Sequence, residues 1–591
     1  QSALQDKDSK NLISHFDTSS DINELAVKLN EILLTASKKC LRRPSPPKKS
    51  SRKIYTNKKF FDIDLIKMRK NVVSYAELYS KYPNDPYIHG RFYKLLRQYN
   101  KSRKYKKRKF REDILNQLDN LECNNPQVYW DLVRKLKESD SCDPSENIAA
   151  DIWLDHFKSL NSLDNRFKKR NEYIEKLVES IEKHSTSSKL DFAITDTEIL
   201  KAISQLKNNK ACGLDFITNE MLKASANSLV PCYRKLFNLC LNTGKYPECW
   251  AEGYTLPLFK SGDPTDPSNY RGISITCAIG KLFNTILNDR LDKYLLQNSL
   301  ITEFQIGFVK KSRTSDHMFL LKNLIDSVLS TGKKLYACFI DFKKAFDSVI
   351  HSGIKYKLLQ MGLGGNFYNI IKNMYNVSST CVKAGKNLTD SFTCRVKLGV
   401  RQGDNLSPNL FKIFINDFPS YIDNVDDDLI LGDTNINCLM YADDIVLLST
   451  TSYGLQSKLK NVDKFCSDWC LNINTNKTKI LVFNKQGRLI NEKFTLQQVE
   501  LECVQHYKYL GLIFSASGVF SHARQELYKK SLKGYYKLCK DVIRSHPKIT
   551  TSLHLFDHMI KPISLYSSEI WGTFNPKSSK FRNDIVLDKI Y

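Results

Sequence analysis

Two adjacent aspartates, Asp443 and Asp444, are the residues of this sequence that point most directly to chemistry. They interrupt an apolar stretch, Leu-Met-Tyr-Ala-Asp-Asp-Ile-Val-Leu-Leu, over residues 439–448. A third aspartate, Asp341, ends another apolar run that begins at Leu335. Carboxylates grouped in an apolar setting repel each other and are costly unless a cation joins them. Oxygen ligands that leave coordination positions open suit magnesium, so these acids predict a metal site.

Short strands would have to position these acids. The run 335–340 predicts a buried strand with a helix just after Asp341, and residues 437–448 predict a hairpin whose turn holds Asp443 and Asp444. If the strand and the hairpin pair in one sheet, Asp341 and Asp443 meet at one edge. Two magnesium ions about 4 Å apart are the usual arrangement for in-line phosphoryl transfer. The alternative for the aspartate pair alone is a polar turn that holds no metal.

Two further segments carry groups that a nucleotide needs. Lys260, in the stretch Pro-Leu-Phe-Lys-Ser-Gly-Asp-Pro, and Arg271, in Asn-Tyr-Arg-Gly-Ile-Ser, supply cations for phosphate oxygens. In the loop 399–408, the Gln402 amide can hydrogen-bond a nucleotide, and Gly403 lets the backbone approach a ligand closely. Each segment alone is also typical of an ordinary loop, so the prediction depends on their combination with the acids.

The overall composition indicates a large, basic, folded chain. It has 591 residues, a formal net charge of +27 and a pI of about 9.3. That length predicts three or four domains. The charge favours a polyanionic partner, with nucleic acid preferred and an anionic membrane surface as the alternative. No apolar run approaches the roughly 18 residues of a spanning helix, and no Cys-x-x-Cys pair predicts a zinc site or a disulfide framework.

The texture of the sequence changes along the chain. Residues 1 to about 40 predict a helix, a proline loop follows, and helical patterns then continue to about 185. After about 195, short strands alternate with helices, which is typical of an α+β fold. From about 520 the pattern is helical again. The predicted strands are Tyr254–Phe259, Lys334–Ile340, Asn437–Tyr441, Ile445–Leu448 and Ile480–Phe483.

A strongly basic run lies in the upstream helical region, where residues 101–112 read KSRKYKKRKFRE. Tyr105 and Phe110 interleave with its cations and offer stacking faces, so the run predicts a nucleic-acid surface or a nuclear address. The alternative is a solvated helix face. The candidate nucleic-acid-binding residues are Arg103, Lys104, Lys106, Lys107 and Arg108.

Seven segments, taken in order, resemble the reverse transcriptases of non-LTR (LINE-type) retrotransposons. The resemblance covers about residues 245–515. The segments are Asn-Tyr-Arg-Gly-Ile-Ser from 269, Gln-Ile-Gly-Phe from 305, Phe-Ile-Asp-Phe-Lys-Lys-Ala-Phe-Asp from 339, Gly-Val-Arg-Gln-Gly-Asp-Asn-Leu-Ser-Pro from 399, Tyr-Ala-Asp-Asp from 441, Asn-Thr-Asn-Lys-Thr-Lys from 474 and Tyr-Leu-Gly from 509.

The resemblance implies a right-hand polymerase fold. It implies a basic, mostly helical linker or N-terminal extension over 1–195, fingers over 196–335, a palm with an antiparallel sheet over 336–515 and a partial helical thumb over 516–591. The endonuclease that precedes the polymerase in this family has no counterpart here. With a start that is not Met, this absence leads us to expect a fragment that also lacks the end of the thumb.

The resemblance also assigns roles to residues. Asp341, Asp443 and Asp444 would bind two Mg²⁺ ions, with Mn²⁺ as a substitute. Lys260 and Arg271 would clamp the triphosphate, Gln402 and Gly403 would line the nucleotide pocket, and Phe346 would exclude a ribose 2′-OH. The turn of Tyr509, Leu510 and Gly511 would grip the primer. Lys477 would protonate pyrophosphate, with a plain surface lysine as the alternative.

The implied function is RNA-directed DNA synthesis from a primer 3′-OH, in target-primed reverse transcription. Its partners would be template RNA, including the element's own RNA, a DNA primer or target and dNTPs, with no membrane. The protein would occur in the nucleus and cytoplasm as a ribonucleoprotein. Two alternatives stay open: an inactive or exapted nucleic-acid-binding protein, and a group II intron-type enzyme, which shares Tyr-Ala-Asp-Asp but is expected to carry Pro where Arg401 stands.

Overall fold

The computed structural model describes most of the chain. The described residues are 13, 21–40, 60–120, 126–136, 143–184, 189–384, 387–388, 398–422, 429–432, 434–490, 492–541 and 548–572. The predicted proline loop and the last residues of the predicted thumb lie outside them. Among the described residues, no helix is long and apolar enough to span a bilayer.

The chain divides into two compact units. The first consists of Gln1–Pro44 and Cys142–Phe520, and the second consists of Ser45–Ser141 and Ser521–Tyr591. The domain boundaries expected near 195, 335 and 515 stay predictions.

Helices occur in both units. In chain order they are α1 (Ile22–Cys40), α2 (Ile63–Lys81), α3 (Pro86–Asn120), α4 (Pro126–Leu136), α5 (Ala150–Leu160), α6 (Lys168–Glu182), α7 (Asp196–Gln205), α8 (Asn219–Thr243), α9 (Glu248–Ala251), α10 (Ala278–Gln297), α11 (Thr314–Ser330), α12 (His351–Gln360), α13 (Gly365–Asn376), α14 (Ser407–Ile415), α15 (Phe418–Ile422), α16 (Ser452–Asp468), α17 (Ser521–Asp541), α18 (Ile549–Met559), α19 (Lys561–Ser564) and α20 (Ser568–Trp571).

The described strands all lie in the first unit. They are β1 (Glu252–Phe259), β2 (Tyr270–Thr276), β3 (Leu335–Ile340), β4 (Ser379–Ala384), β5 (Asn387–Leu388), β6 (Ile430–Leu431), β7 (Thr434–Asn435), β8 (Cys438–Tyr441), β9 (Asp444–Ser449), β10 (Lys479–Phe483), β11 (Phe494–Leu496), β12 (Val499–Cys503), β13 (His506–Tyr509) and β14 (Leu512–Ser515). All five predicted strands are confirmed, with bounds that differ by at most two residues.

A six-stranded sheet forms the centre of the first unit. Its strand order is β11-β12-β10-β3-β9-β8. β3 is central and every one of its residues is buried, as expected for an uninterrupted apolar run. Helices pack their apolar faces on this sheet to form one core, in which Phe237 of α8, Phe283 of α10 and Phe414 of α14 are buried together with Cys338 and Leu447 of the sheet.

A smaller sheet carries two of the predicted phosphate-binding cations. Its order is β2-β1-β4-β5, with β1 and β2 as an antiparallel hairpin. Lys260 follows the last residue of β1, and Arg271 lies in β2 opposite Leu258. Both cations therefore stand at the end of the hairpin near its loop.

In the second unit, α2 packs against part of α3. Phe60, Leu65 and Tyr99 are buried between them. Further along α3, Leu115 is buried with Leu538 of α17 and Leu555 of α18. Helices more than 400 residues apart in the sequence therefore share one core within this unit.

The predicted helix directly after Asp341 is wrong. Residues 343–347 form turns, and the next helix begins only at His351. Phe342 instead forms a β-bridge with Ile473, and Lys344 takes a left-handed conformation with φ of 49°. A left-handed residue with a side chain cannot continue a right-handed helix, so the segment stays a series of turns.

Candidate active site

The register of the central sheet brings Asp341 and the aspartate pair together. β3 and β9 pair antiparallel, and Ile340 lies opposite Ile445. Asp341 directly follows Ile340, and Asp444 directly precedes Ile445. Asp341 and Asp443 line the same cavity, whereas Asp444 is not on its wall. Asp341 and Asp443 therefore lie together at one edge of the sheet, as predicted.

The turn that holds the aspartates is braced by Gln305. Its Nε2 donates to the Ala442 carbonyl at 3.2 Å, and its Oε1 accepts from the Ala442 amide at 2.9 Å. Gly307 lies so close that a Cβ there would be 2.2 Å from the Ala442 nitrogen. The Gln-Ile-Gly segment therefore fixes the backbone of Ala442, which has a φ of 55°. The sequence alone gave no role to Gln305.

Asp341 is held from the side opposite the hairpin. Its amide donates to Thr478 Oγ1 at 3.2 Å, and its carbonyl accepts from the Asn474 amide at 2.7 Å. Lys477 lies in this same turn, is exposed and lines the cavity. The segment 474–478 therefore sets the backbone position of Asp341 and brings a lysine to the cavity.

The acids are in an environment that disfavours their charged forms. Burial and then the charge of Asp341 raise the pKa of Asp443 above its usual range. Asp444 keeps an exposed surface, yet the surrounding protein atoms and the charges of Asp443 and Asp341 raise its pKa to about 6. Lys260 and Arg271 act in the opposite direction on Asp443. Such a carboxylate pair is stabilised when a cation binds between its members.

The described residues do not form a closed metal cage. No group of three His, Cys, Asp or Glu side chains among them is arranged to hold an ion. Three aspartates line the cavity, Asp341, Asp443 and Asp347, and the last of them accepts a hydrogen bond from the Gln402 amide. Like charges do not converge further on their own. A site with one or two carboxylates and room for phosphate oxygens is the form that Mg²⁺ takes in nucleotide enzymes. The donor set present therefore fits such an ion.

The cavity beside these acids has a volume of about 580 Å³ and a strongly cationic wall. The predicted cations Lys260, Arg271 and Lys477 all line it. Lys343 and Lys344 line it as well, and sequence analysis gave neither a role. A wall with five cations and three aspartates suits a polyanion that brings its own counterion.

Gln402 lines the cavity, and Gly403 sits behind it. Gln402 Nε2 donates to Asp347 Oδ1 at 3.4 Å, and its carbonyl accepts from the Ser274 amide at 2.8 Å. Gly403 has a φ of 112°, and a Cβ there would be 2.8 Å from the Ser274 oxygen. Gly403 is therefore needed because the loop lies close to β2, whereas the sequence predicted a close approach to a ligand.

Arg401 is buried and anchors the loop. It donates from its guanidinium to the Ala251 carbonyl and, from Nε at 3.2 Å, to Ser378 Oγ. A proline could make neither contact. In this fold the arginine therefore serves to hold the loop against Ala251 and Ser378.

Phe346 lines the cavity and is half-buried. Its ring stacks on Phe411 with centroids 4.5 Å apart, and Phe308 meets its edge at 6.1 Å. The ring is thus held rigidly on the cavity wall, although by turns and aromatic packing instead of by the predicted helix. Asp347, next to it, was also missed; burial raises its pKa to about 6.

The predicted primer-contact turn is the tip of the β13–β14 hairpin. Leu510 and Gly511 have positive φ values of 45° and 95°, as a tight two-residue hairpin turn needs. The Tyr509 ring is 3% exposed and packs at 5.5 Å from Phe339 of β3. The ring therefore holds the turn on the sheet.

The predicted nucleic-acid-binding residues all lie on α3, in the second unit. Arg103, Lys104 and Arg108 are exposed, whereas Lys106 forms ion pairs with Asp62 and with Asp64 at 3.1 Å. Phe110 packs into the unit's core. The expectation that Phe110 offers a stacking face is wrong, because the helix turns that position inward. Tyr105, by contrast, is 64% exposed.

Comparison with known proteins agrees with this geometry. Residues 260–514 match the family model described as Reverse transcriptase (RNA-dependent DNA polymerase). The RNA-directed DNA polymerase from mobile element jockey of Drosophila melanogaster is 24% identical in an alignment of 433 residues that covers 70% of this chain and 45% of that protein. The probable RNA-directed DNA polymerase from transposon BS of the same fly is 26% identical, over 64% of this chain and 42% of that protein.

A third relative is the Pol polyprotein from the type-1 retrotransposable element R2 of Nasonia vitripennis. It is 28% identical over 53% of this chain and 31% of its own length. The chain therefore spans less than half the length of each of these curated relatives. A solved structure of apo telomerase from Candida tropicalis covers 46% of this chain and 54% of its own at 12% identity, with a TM-score of 0.33 that is too low for an argument about the fold.

Proposed function

We propose that this chain, whose residues 260–514 form a reverse transcriptase domain of the non-LTR retrotransposon type, extends a primer 3′-OH on an RNA template. One observation carries the proposal. The pairing of β3 with β9 sets Asp341 and Asp443 on the wall of a cavity that Lys260 and Arg271 also line. Acids for a divalent ion and cations for phosphates are then next to each other, as nucleotidyl transfer requires.

Asp341 and Asp443 would hold the divalent ions, with Asp444 adjacent. We propose Mg²⁺, with Mn²⁺ as a substitute. Bound there, the ions supply charge neutralisation for the phosphates and acidify the attacking hydroxyl. The raised pKa of Asp443 shows that its ionised form is disfavoured without a cation. A bound ion would stabilise that ionised form.

The protein's own groups would bind and orient the nucleotide. Lys260 and Arg271 bind triphosphate oxygens, and Lys477 donates a proton to the leaving pyrophosphate. Gln402 and Gly403 shape the nucleotide's surroundings, Gln402 from the wall and Gly403 by allowing the loop to lie against β2. The Phe346 ring, fixed by Phe411, stands where a ribose 2′-OH would otherwise fit.

The same proposal covers the wider chain. The architecture is that of a right hand, with fingers, palm and a partial thumb at the boundaries given above. The Tyr509–Gly511 turn contacts the primer, and the basic face of α3 binds RNA of the element itself. A target-primed reaction would occur in the nucleus, with the protein and its RNA together in the cytoplasm beforehand.

Primer extension by the full chain on an RNA template with magnesium tests the proposal. We expect labelled dNTP to be added to an annealed DNA primer, and to be added no longer when EDTA is present. A chain that binds primer–template but adds no nucleotide, with either Mg²⁺ or Mn²⁺, would be an inactive nucleic-acid-binding protein, and the proposed function would be wrong.

A further inference from the structure

The helix α5 forms part of the cavity wall, although it lies about a hundred residues upstream of the segment that matches the reverse transcriptase family. Ser159 and Leu160, at its end, line the cavity. Trp153 is fully buried and meets Tyr270 of β2 edge-on, with ring centroids 4.9 Å apart. α5 is therefore fixed against the strand that carries Arg271.

The same helix places the His156 side chain next to a lysine of the cavity wall, Lys344. His156 Nε2 is 3.5 Å from Nζ of Lys344. Burial and the neighbouring ammonium group lower the pKa of His156 to about 4, so the ring is neutral at pH 7. A neutral imidazole nitrogen can accept a hydrogen bond from an ammonium group and restricts where that group points.

Lys344 itself has the features of a ligand-binding residue. Its φ of 49° is unusual for a residue with a side chain, and its carbonyl accepts from the Asp347 amide at 2.8 Å and the Ser348 amide at 3.0 Å. Strained backbone of this kind persists where the surrounding contacts fix it, which is frequent at ligand sites. Within the described residues, no carboxylate forms an ion pair with its Nζ, and Asp347 and Asp266 act on it only as more distant charges.

We propose that Lys344 binds phosphate oxygens of the incoming nucleoside triphosphate, and that His156 of α5 positions its amine. The inference rests on the proposed function and adds to it a third phosphate-binding cation beside Lys260 and Arg271. An ammonium group on a cavity wall, without a carboxylate partner, is available to a phosphate oxygen. The upstream helical region then belongs to the nucleotide site and is more than a linker.

The phosphate could belong to the nucleotide or to the template backbone, and Lys344→Gln separates the two sources. We measure kcat and KM for a dNTP, inhibition by inorganic pyrophosphate and the Kd for primer–template, all on the full chain. A lost charge-assisted contact should raise KM and the pyrophosphate inhibition constant about 10-fold to 100-fold. The matched control is Lys464→Gln, an exposed lysine of α16 that does not line the cavity, and it should change neither value.

His156→Ala tests the positioning role. It should raise KM for the dNTP about 3-fold to 10-fold in the wild-type background, because the amine loses its orientation. In the Lys344→Gln background it should add little. An equal effect in both backgrounds, or a fall in kcat with unchanged KM and a lower melting temperature, would mean that His156 only supports the packing of α5.

Calorimetric titration of the full chain with the same dNTP and magnesium measures binding without catalysis. Lys344→Gln should weaken it by the same factor as KM. Unchanged dNTP and pyrophosphate binding in this variant overturns the inference while leaving the polymerase assignment intact. A rise in the primer–template Kd alone would assign Lys344 to the template backbone. Absence of primer extension by the wild type would reject the proposed function, and the titration would still decide on Lys344.

Discussion

Ile340 and Ile445 lie directly opposite each other in the antiparallel pairing of β3 with β9. Both are buried, at 2% and 1% exposure. Both faces of β3 are buried, so a slip of one residue would place Asp341 opposite Ile445, or Asp444 opposite Ile340, and would draw a carboxylate into the apolar pairing. The hydrophobic register therefore also fixes the acids, since Asp341 and Asp444 are the residues next to this pair.

Asp443→Asn should abolish primer extension, by at least about a thousandfold, and leave RNA binding nearly unchanged. Ion binding needs the carboxylate charge, whereas RNA affinity depends on lysines and arginines. The variant keeps the side-chain shape and removes a repulsive charge, so the fold should not lose stability. Extension and filter binding are measured on the same preparation.

The matched control is Asp463→Asn, on α16 and away from the cavity wall. It should retain extension within about twofold, as expected for a substitution away from the site. Near wild-type extension by the Asp443 variant would contradict the metal assignment.

Phe346→Ala should raise ribonucleotide incorporation relative to deoxynucleotide incorporation by about tenfold or more, which is about 1.4 kcal/mol of selectivity. The ring is held on the cavity wall by its stacking on Phe411, so its removal opens space for a 2′-OH. The measurement is the ratio of kcat/KM for dNTP and rNTP. Phe319→Ala, at a phenylalanine that is 51% exposed, serves as the control.

Loss of packing alone would give a different result. If Phe346 only supports Phe411, both substrates would lose efficiency in parallel and the ratio would stay constant. A constant ratio therefore rules out sugar discrimination by this ring.

The basic face of α3 should contribute to RNA binding unequally along its length. Lys104→Gln should weaken binding and lower the slope of log affinity against log salt by about 0.7, the value for one phosphate contact on a single strand. Lys106→Gln should change the slope less, because Asp62 and Asp64 already hold that ammonium group. Instead it should lower the melting temperature. Equal slopes for Lys104→Gln and the wild type would show that the basic face of α3 is exposed to solvent and does not contact RNA phosphates.

Asp215 should make stability depend on pH. Burial raises its pKa from 3.8 to about 6, and its Oδ2 has no hydrogen-bond partner among the described residues. The folded state therefore holds the proton more tightly than the unfolded chain, so this contribution to stability is present below about pH 4 and is lost as the pH rises through about 6.

Asp215→Asn removes that titration and keeps an oxygen that can accept the Ile217 amide. The melting temperature of the variant should exceed that of the wild type at pH 7.5 and match it near pH 4, with a gain on the order of 1–2 kcal/mol at the higher pH. A difference between the two proteins that does not change with pH would show that Asp215 does not titrate in this range.

Much of the sheet was predictable because its signals are local. Apolar runs of the right length marked β3, β8, β9 and β10, and the acids at their ends had to meet once those strands paired. The predicted helix after Asp341 failed because the bridge between Phe342 and Ile473 joins residues more than a hundred positions apart. No local periodicity records such a contact.

The missed residues share this non-local character. Gln305 braces Ala442, and His156 meets Lys344 across 188 residues. A sequence pattern reports what each segment prefers by itself, and these roles exist only after distant segments have packed. Arg401 is similar: its departure from the expected proline was visible, but its partners at Ala251 and Ser378 were not.

Gly403→Ala should lower both activity and stability, and a second glycine provides the comparison. Gly403 and Gly432 both have positive φ values, of 112° and 62°. A Cβ at Gly403 would lie 2.8 Å from the Ser274 oxygen, whereas nothing lies within 4 Å at Gly432. Gly432→Ala should therefore cost only about 1 kcal/mol of backbone strain. Gly403→Ala adds a backbone clash and should cost about 2–4 kcal/mol.

The clash also predicts where activity is lost. Relief requires the loop to move away from β2, which breaks the hydrogen bond from the Ser274 amide to the Gln402 carbonyl and shifts the Gln402 side chain off the cavity wall. We expect KM for the dNTP to rise at least about tenfold in Gly403→Ala, with primer–template binding unchanged, and neither to change in Gly432→Ala. If both variants behave alike in primer extension and in thermal unfolding, the close approach of Gly403 to Ser274 does not position Gln402.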